Sequence, residues 1–209
     1  MTKGKTRIKI CGITRIEDGL AAAAAGADAI GLVFYPKSAR YVLPDQAAAI
    51  VAALPPFVDV VGLFVNATAE FVHETLARVP IGLLQFHGDE DETFCRQFDR
   101  PYMKAARVRP ELDLVQYAAS FQTARALLLD AFVDGYGGAG QVFDWNLIPD
   151  KLSRPIVLSG GLDPENVTDA IRRVRPAAVD VSSGVEFAKG VKDHAKIAAF
   201  IAGVCNADV

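Results

Sequence analysis

Short apolar runs alternate with longer, alanine-rich stretches along the whole chain. The runs are RIKICG near 7–12, DAIGLVF at 28–34, VDVVGLFV at 58–65, GLLQFHG at 82–88, YMKAARV at 102–108, RALLLDA at 125–131, PIVLSGG at 155–161 and AAVDVSSG at 177–184. Each is too short for a full helix and rich in β-branched residues or leucine, so each predicts a strand. The stretches between them predict helices. TRIEDGLAAAAAGAD offers Thr14 as N-cap, Glu17 three residues on, and Gly26 as the C-terminal stop. SGGLDPENVTDAIRRV offers Asp163 as N-cap, Pro164 at the first helical position and arginines in the last turn. ATAEFVHETLARV is a third clear helix.

Eight strands in alternation with about eight helices imply a parallel sheet with right-handed crossovers. Eight units is the count of a closed (β/α)8 TIM barrel, and no linker, low-complexity tract or compositional break divides residues 1–209, which predicts one barrel domain. The competing architecture is an open doubly wound sheet, with exposed edges and a switch-point crevice.

Side chains alternate along a strand, so the face turned away from the helices can be read directly. In the first strand Ile8 and Ile10 share one face, and Lys9 and Cys11 share the other. In the fourth, Gln85 and His87 fall together; in the sixth, Asp130 stands opposite Leu129 and Ala131; in the eighth, Asp180 and Ser182 share a face. Four strands thus present polar groups near the C-terminal end of a barrel, where active sites of this architecture sit. Polar groups are normally excluded from cores, so this repetition favours a site over an isolated buried polar residue.

The last two strands run into glycine. Gly160 and Gly161 precede a helix, and Ser182, Ser183 and Gly184 follow the eighth strand. Bare backbone N–H groups, hydroxyls and a helix N-terminus suit a phosphate, and barrels often hold phosphate in these two loops. The alternative is that these glycines only make tight turns. GYGGAG at 135–140 matches a dinucleotide fingerprint in letters. However, it follows the sixth strand and is continued by QVFDW instead of a helix, so it reads as a ligand-contacting loop.

Arg40, in YPKSARYV, lies where a barrel mouth could use its paired donors on a carboxylate. Cys11 could be a small buried hydrophobe. Its place at a strand end, two residues from Lys9, favours an accessible thiol of lowered pKa. A thiol and a carboxylate on different strands beside a phosphate anchor suit proton shuttling on a sugar phosphate. A Cys–His nucleophilic pair is the lesser reading, and whether His87 reaches Cys11 is left open.

The formal charge of −3 gives no support for nucleic-acid or membrane binding, and no apolar run approaches a membrane span. The start, MTKGKTRIKIC, lacks the apolar stretch of a signal peptide. Cys11, Cys95 and Cys205 are odd in number and widely spaced, against a disulfide framework or a thiolate metal site. A reducing cytoplasm is the expected compartment.

Taken in order, KICGIT, YPKSARYV, QFHGDE, LLLDA…GGAGQVFDW, LSGGLDPENV and VDVSSGVE resemble the phosphoribosylanthranilate isomerase family of tryptophan biosynthesis, over residues near 7 to 187. The resemblance implies a (β/α)8 barrel without metal or cofactor. It also implies an Amadori rearrangement of N-(5-phosphoribosyl)anthranilate to 1-(2-carboxyphenylamino)-1-deoxyribulose 5-phosphate. By motif, Cys11 becomes the general base, Asp130 the general acid and Arg40 the group that meets the anthranilate. Gln85, His87 and Asp180 become substrate-binding. Gly138, Gly140, Gly160, Gly161, Ser182, Ser183 and Gly184 become the phosphate site. The chain departs from the family pattern at Ala139, where a hydroxyl residue is expected. The implied partner is one phosphorylated aminosugar, with the protein a monomer or a homodimer. Two rivals remain. A histidine-pathway sugar isomerase is expected to use paired aspartates instead of a cysteine base. A non-catalytic phosphate-binding barrel should have lost Cys11 or Asp130.

Overall fold

The eight apolar runs form the staves of one closed cylinder. The computed structural model describes residues 5–131 and 142–207. Its strands β1 (Arg7–Cys11), β2 (Ala29–Val33), β3 (Asp59–Phe64), β4 (Leu83–Phe86), β5 (Tyr102–Val108), β6 (Ala126–Ala131), β7 (Ile156–Leu158) and β8 (Ala178–Val181) pair in sequence order. Closure is made by the parallel pairing of β1 with β8, where Lys9 lies level with Asp180. The open-sheet alternative is therefore excluded.

Helices α1 (Ile16–Ala25), α2 (Pro44–Ala53), α3 (Ala69–Arg78), α4 (Glu92–Arg96), α5 (Leu114–Ala119), α6 (Val167–Val174) and α7 (His194–Ala207) surround the barrel. Gly26 ends α1 at φ 103°, a conformation only glycine adopts without strain. Thr68 caps α3 by accepting from the Phe71 N–H.

Two expected caps differ. Residue Arg15, not Thr14, precedes α1, and the Thr14 hydroxyl donates instead to the Gly190 carbonyl. Asp163 accepts from the N–H groups of Glu165 and Asn166 at 2.8 and 2.9 Å, which makes a turn and delays α6 to Val167. Among the described residues between β6 and β7 there is only a 3-10 turn, Trp145–Leu147, where a helix was expected. A short hairpin, β9 (Glu186–Ala188) with β10 (Val191–Lys192), joins β8 to α7.

The sheet's outer face carries the main core. Phe34 and Phe64 stack at 5.3 Å between ring centroids, and Phe86 meets Phe94 edge-on at 5.8 Å. Inside the barrel, Val61, Met103, Leu128 and Val157 form one apolar cluster, and Cys11, Val33, Leu63 and Val65 form another. Lys9, Gln85 and Asp180 are buried in the same interior.

Burial outside the barrel also sets a pH response. Cys95 is fully buried, and burial raises its thiol from 9.0 to about 12. The folded state then keeps a proton that the unfolded chain loses near 9, so stability must fall as pH rises from about 9 towards 12. Cys95→Ala should be less stable at pH 7 because it leaves a cavity, yet show a shallower loss of melting temperature with rising pH. Melts at a series of pH values from 7 to 11 check this, and an unchanged slope would contradict it.

Candidate active site

The inward parity of the strands brings the polar residues together. Lys9 Nζ donates to Asp180 Oδ1 at 2.7 Å, and Ser159 Oγ donates to Asp180 Oδ2 at 3.2 Å. This ion pair is 6% exposed at each side chain, so removing either partner would strand a buried charge. Cys11 and Lys9 both lean over Gly31 of β2. A Cβ there would lie 2.7 Å from the Cys11 sulfur and 3.0 Å from Lys9 Nζ, so only glycine leaves them room.

The thiol differs from the expectation in two respects. Cys11 is buried, and its pKa is raised, not lowered. Burial pushes it up and outweighs Lys9, while Asp180 adds to the upward push. Burial works against the Lys9 charge too, but Asp180 and the Cys11 sulfur prevail and hold Lys9 above its ordinary value. The Lys9 ammonium is paired with Asp180, whose opposite charge offsets part of its effect on the thiol.

On the other side, Gln85, His87 and Asp130 form a chain of contacts. Gln85 Nε2 is 3.0 Å from His87 Nδ1, and His87 Nε2 is 3.1 Å from Asp130 Oδ2. Asp130 Oδ1 also accepts from the Ala131 N–H at 2.9 Å. Gln85 is fully buried, so its amide faces the histidine and not solvent.

The two glycine-rich loops meet each other and these groups. Gly160 and Gly161 have φ of 80° and 65°. A Cβ on Gly160 would sit 2.5 Å from the Ala131 nitrogen and 2.9 Å from Asp130 Oδ1. Asn166 braces the loop by donating to the Gly161 carbonyl at 2.9 Å. After β8, Ser183–Val185 form a 3-10 turn instead of a full helix. The amides of Gly160, Gly161, Ser183 and Gly184 make no hydrogen bond to other described residues. Gly138 and Gly140, with Ala139, lie outside the described residues.

Gly184 is needed for packing between the loops. A Cβ there would lie 2.0 Å from the Leu162 carbonyl oxygen and 3.0 Å from Asp163 Cα. Gly184→Val should therefore force the loops after β7 and β8 apart and destabilise the fold by about 1–3 kcal/mol or more. It should also abolish competition by inorganic phosphate, whereas the exposed change Glu74→Gln should alter neither. Retained phosphate competition in a folded Gly184→Val protein would show that this loop pair does not hold the anion.

Arg40 is not free. Its Nε and Nη2 donate to Glu186 Oε1 and Oε2 at 2.7 and 2.8 Å, a two-point pair on the chain's own carboxylate. Glu186 also accepts from Lys192 Nζ at 3.0 Å, and Lys192 donates on to the Ser182 carbonyl at 3.1 Å. The unit of Arg40, Glu186 and Lys192 carries one net positive charge and links the loop after β2 to the loop after β8. Glu186 and Lys192 escaped the sequence reading. The only signal was their place just beyond SSG, in a segment too short to read as strands. Gly12, at φ 75°, lets Arg40 pass: a Cβ would lie 2.5 Å from Arg40 Cδ and 3.0 Å from Ser182 Oγ.

A closed parallel eight-stranded barrel with a thiol, a carboxylate and two glycine-rich loops at the C-terminal ends of its strands places this chain among the (β/α)8 barrels, whose active sites lie at that end. The match to known proteins is narrower. The family model for N-(5'-phosphoribosyl)anthranilate isomerase matches residues 8–203, and the chain belongs to that family. It is 67% identical over 204 residues to the N-(5'-phosphoribosyl)anthranilate isomerase of Dechloromonas aromatica, covering 98% of each chain. Among solved structures it is similar to the Thermotoga maritima phosphoribosyl anthranilate isomerase, at 46% identity and a TM-score of 0.89. That alignment covers 96% of this chain and 99% of the relative. A second similar structure holds reduced 1-(o-carboxyphenylamino)-1-deoxyribulose 5-phosphate, at 44% identity and a TM-score of 0.85, with coverage of 96% and 99%.

Proposed function

We infer that the chain is the N-(5'-phosphoribosyl)anthranilate isomerase of tryptophan biosynthesis, and propose that Cys11 and Asp130 divide the proton transfers between them. The observation that carries this reading is that one pair of loops meets Asp130 on one side and the residue next to Cys11 on the other. Gly160 abuts Asp130, and Gly12, next to Cys11, abuts Ser182 and Arg40. A phosphate on the amides of Gly160, Gly161, Ser183 and Gly184 would then leave the sugar between thiol and carboxylate.

Asp130 gives its proton to the ring oxygen as the C1–O bond breaks, and the nitrogen lone pair forms the C1=N iminium. Cys11, as thiolate, takes the proton from C2. The freed electron pair makes the C1=C2 bond, and the iminium electrons return to nitrogen. Return of the Cys11 proton to C1, with loss of the C2 hydroxyl proton to Asp130, makes the ketone and restores both groups.

Arg40 is proposed to meet the anthranilate carboxylate while Glu186 and Lys192 hold it in place. Arg40→Ala should raise KM by about tenfold or more with a smaller change in kcat, because the contact exists in ground and transition states alike. An unchanged KM would confine Arg40 to bracing Glu186. Asp180 would face the sugar while Lys9 and Ser159 fix its orientation. No described helix is long and apolar enough to cross a membrane.

The test is substrate choice. The purified protein should convert phosphoribosylanthranilate and leave the aminoaldose of the histidine pathway essentially untouched. The opposite preference would overturn the reading.

A further inference from the structure

We propose that the general acid is an Asp130–His87 pair and that Gln85 is a positioning residue whose amide turns over as the pair gains or loses its proton. This deepens the assignment of Asp130 as the acid and rests on it. The argument is one of hydrogen-bond polarity. With its nitrogen towards the ring, Gln85 donates to a bare His87 Nδ1 at 3.0 Å. The imidazole proton must then sit on Nε2, where it donates to Asp130 Oδ2 at 3.1 Å. That arrangement suits an ionised Asp130.

An acid needs one more proton. When that proton sits on His87, or on Asp130 Oδ2 so that the hydroxyl donates to Nε2, Nδ1 carries hydrogen and requires an acceptor. Gln85 supplies one only by turning its oxygen to the ring. No hydrogen bond to the oxygen holds the amide in its present sense: Gln85 Oε1 is buried and has no hydrogen-bond partner. Asp130 keeps its second contact, the Ala131 N–H at 2.9 Å, in either state.

The surrounding charges are already committed. Arg107 of β5, the register neighbour of Asp130, pairs with Asp89 at 3.2 Å. Lys9 of β1 pairs with Asp180 of β8, and Cys11 lies beside Lys9. Lys104, on the outer face of β5, pairs with Glu90, and the turn after β7 contributes Ser159 and Gly160, which do not titrate. Among the described residues, His87 is thus the titratable group that Asp130 touches, and Gln85 is the group on its far side.

The test follows the side-chain nitrogen resonances of His87, one of only three histidines in the chain, through a pH titration. In the wild type the high-pH form should carry its proton on Nε2, and Nδ1 should become protonated as the pair titrates. Gln85→Glu supplies an acceptor charge and should move that titration up by about one pH unit, while Gln85→Met removes the acceptor and should move it down by a similar amount. The pH profile of kcat should move in the same two directions, with KM little changed. A high-pH wild type protonated on Nδ1 would overturn the proposal without any variant. So would equal or same-direction shifts in the two variants, or shifts that leave the kcat profile in place. Failure of the underlying assignment would look different, because Asp130→Asn would then retain kcat whatever His87 does.

Discussion

Asp130→Asn is expected to fold normally and lose about 10²–10⁴-fold in kcat, with a much smaller change in KM. The amide is nearly isosteric: its oxygen can accept from the Ala131 N–H, and its NH2 can donate to His87 Nε2 when the imidazole carries its proton on Nδ1. It can donate a hydrogen bond, but it cannot give up its proton at useful pH. The proton moves only on the way to the transition state, so the loss belongs in kcat. The pH profile should change with it. The wild-type profile needs one proton on the acid and none on Cys11, which gives a bell whose limbs belong to the pair. Without the acid, the residual rate should follow the Cys11 thiolate alone, rising with pH and showing no alkaline fall. Steady-state kinetics from pH 6 to 10 check both points. A folded variant with wild-type kcat and both limbs intact would pass the role to another group.

Cys11→Ser should also lose about 10²–10⁴-fold in kcat, since a serine hydroxyl is a far weaker base than a thiolate. The pocket sharpens the expectation. Burial already raises the thiol, and Lys9 offsets this only in part because it is bound to Asp180. A serine in the same enclosure, with an intrinsically higher pKa, would be ionised far more rarely. The substitution is smaller than the thiol and meets no new contact over Gly31, so the melting temperature should change little. Because burial favours the neutral thiol, the thiolate is the minority form of Cys11 near neutrality. Conditions that free Lys9 should enlarge it. Asp180→Asn should lower the Cys11 pKa, because Asp180 raises that thiol and holds the Lys9 charge. Thiolate absorbance near 240 nm across a pH series measures this shift.

The barrel was legible because period-two alternation and turn residues repeat eight times, and the closing pair of Lys9 with Asp180 confirms the inward parity read from the strands. Short elements were less legible. Three-residue strands such as Glu186–Ala188 carry too little pattern to distinguish them from loop, so the hairpin holding Glu186 and Lys192 went unread. Caps misled for a related reason. Thr14 and Asp163 have the right side chains, but tertiary partners claim Thr14 and a local turn claims Asp163. The protonation of Cys11 could not be read from Lys9 two residues away, because burial and Asp180, 169 positions along the chain, set the balance. The sequence marks Arg40 only as suited to a carboxylate, and the Glu186 carboxylate it pairs with is visible only in the fold.

The most direct measurement is the fluorescence decay of freshly prepared phosphoribosylanthranilate mixed with wild-type protein, Cys11→Ser and Asp130→Asn at one pH near neutrality. The account predicts rapid consumption by the wild type and rates lower by at least about 10²-fold in each folded variant. Wild-type decay no faster than the uncatalysed background, or either variant matching the wild type, would contradict it.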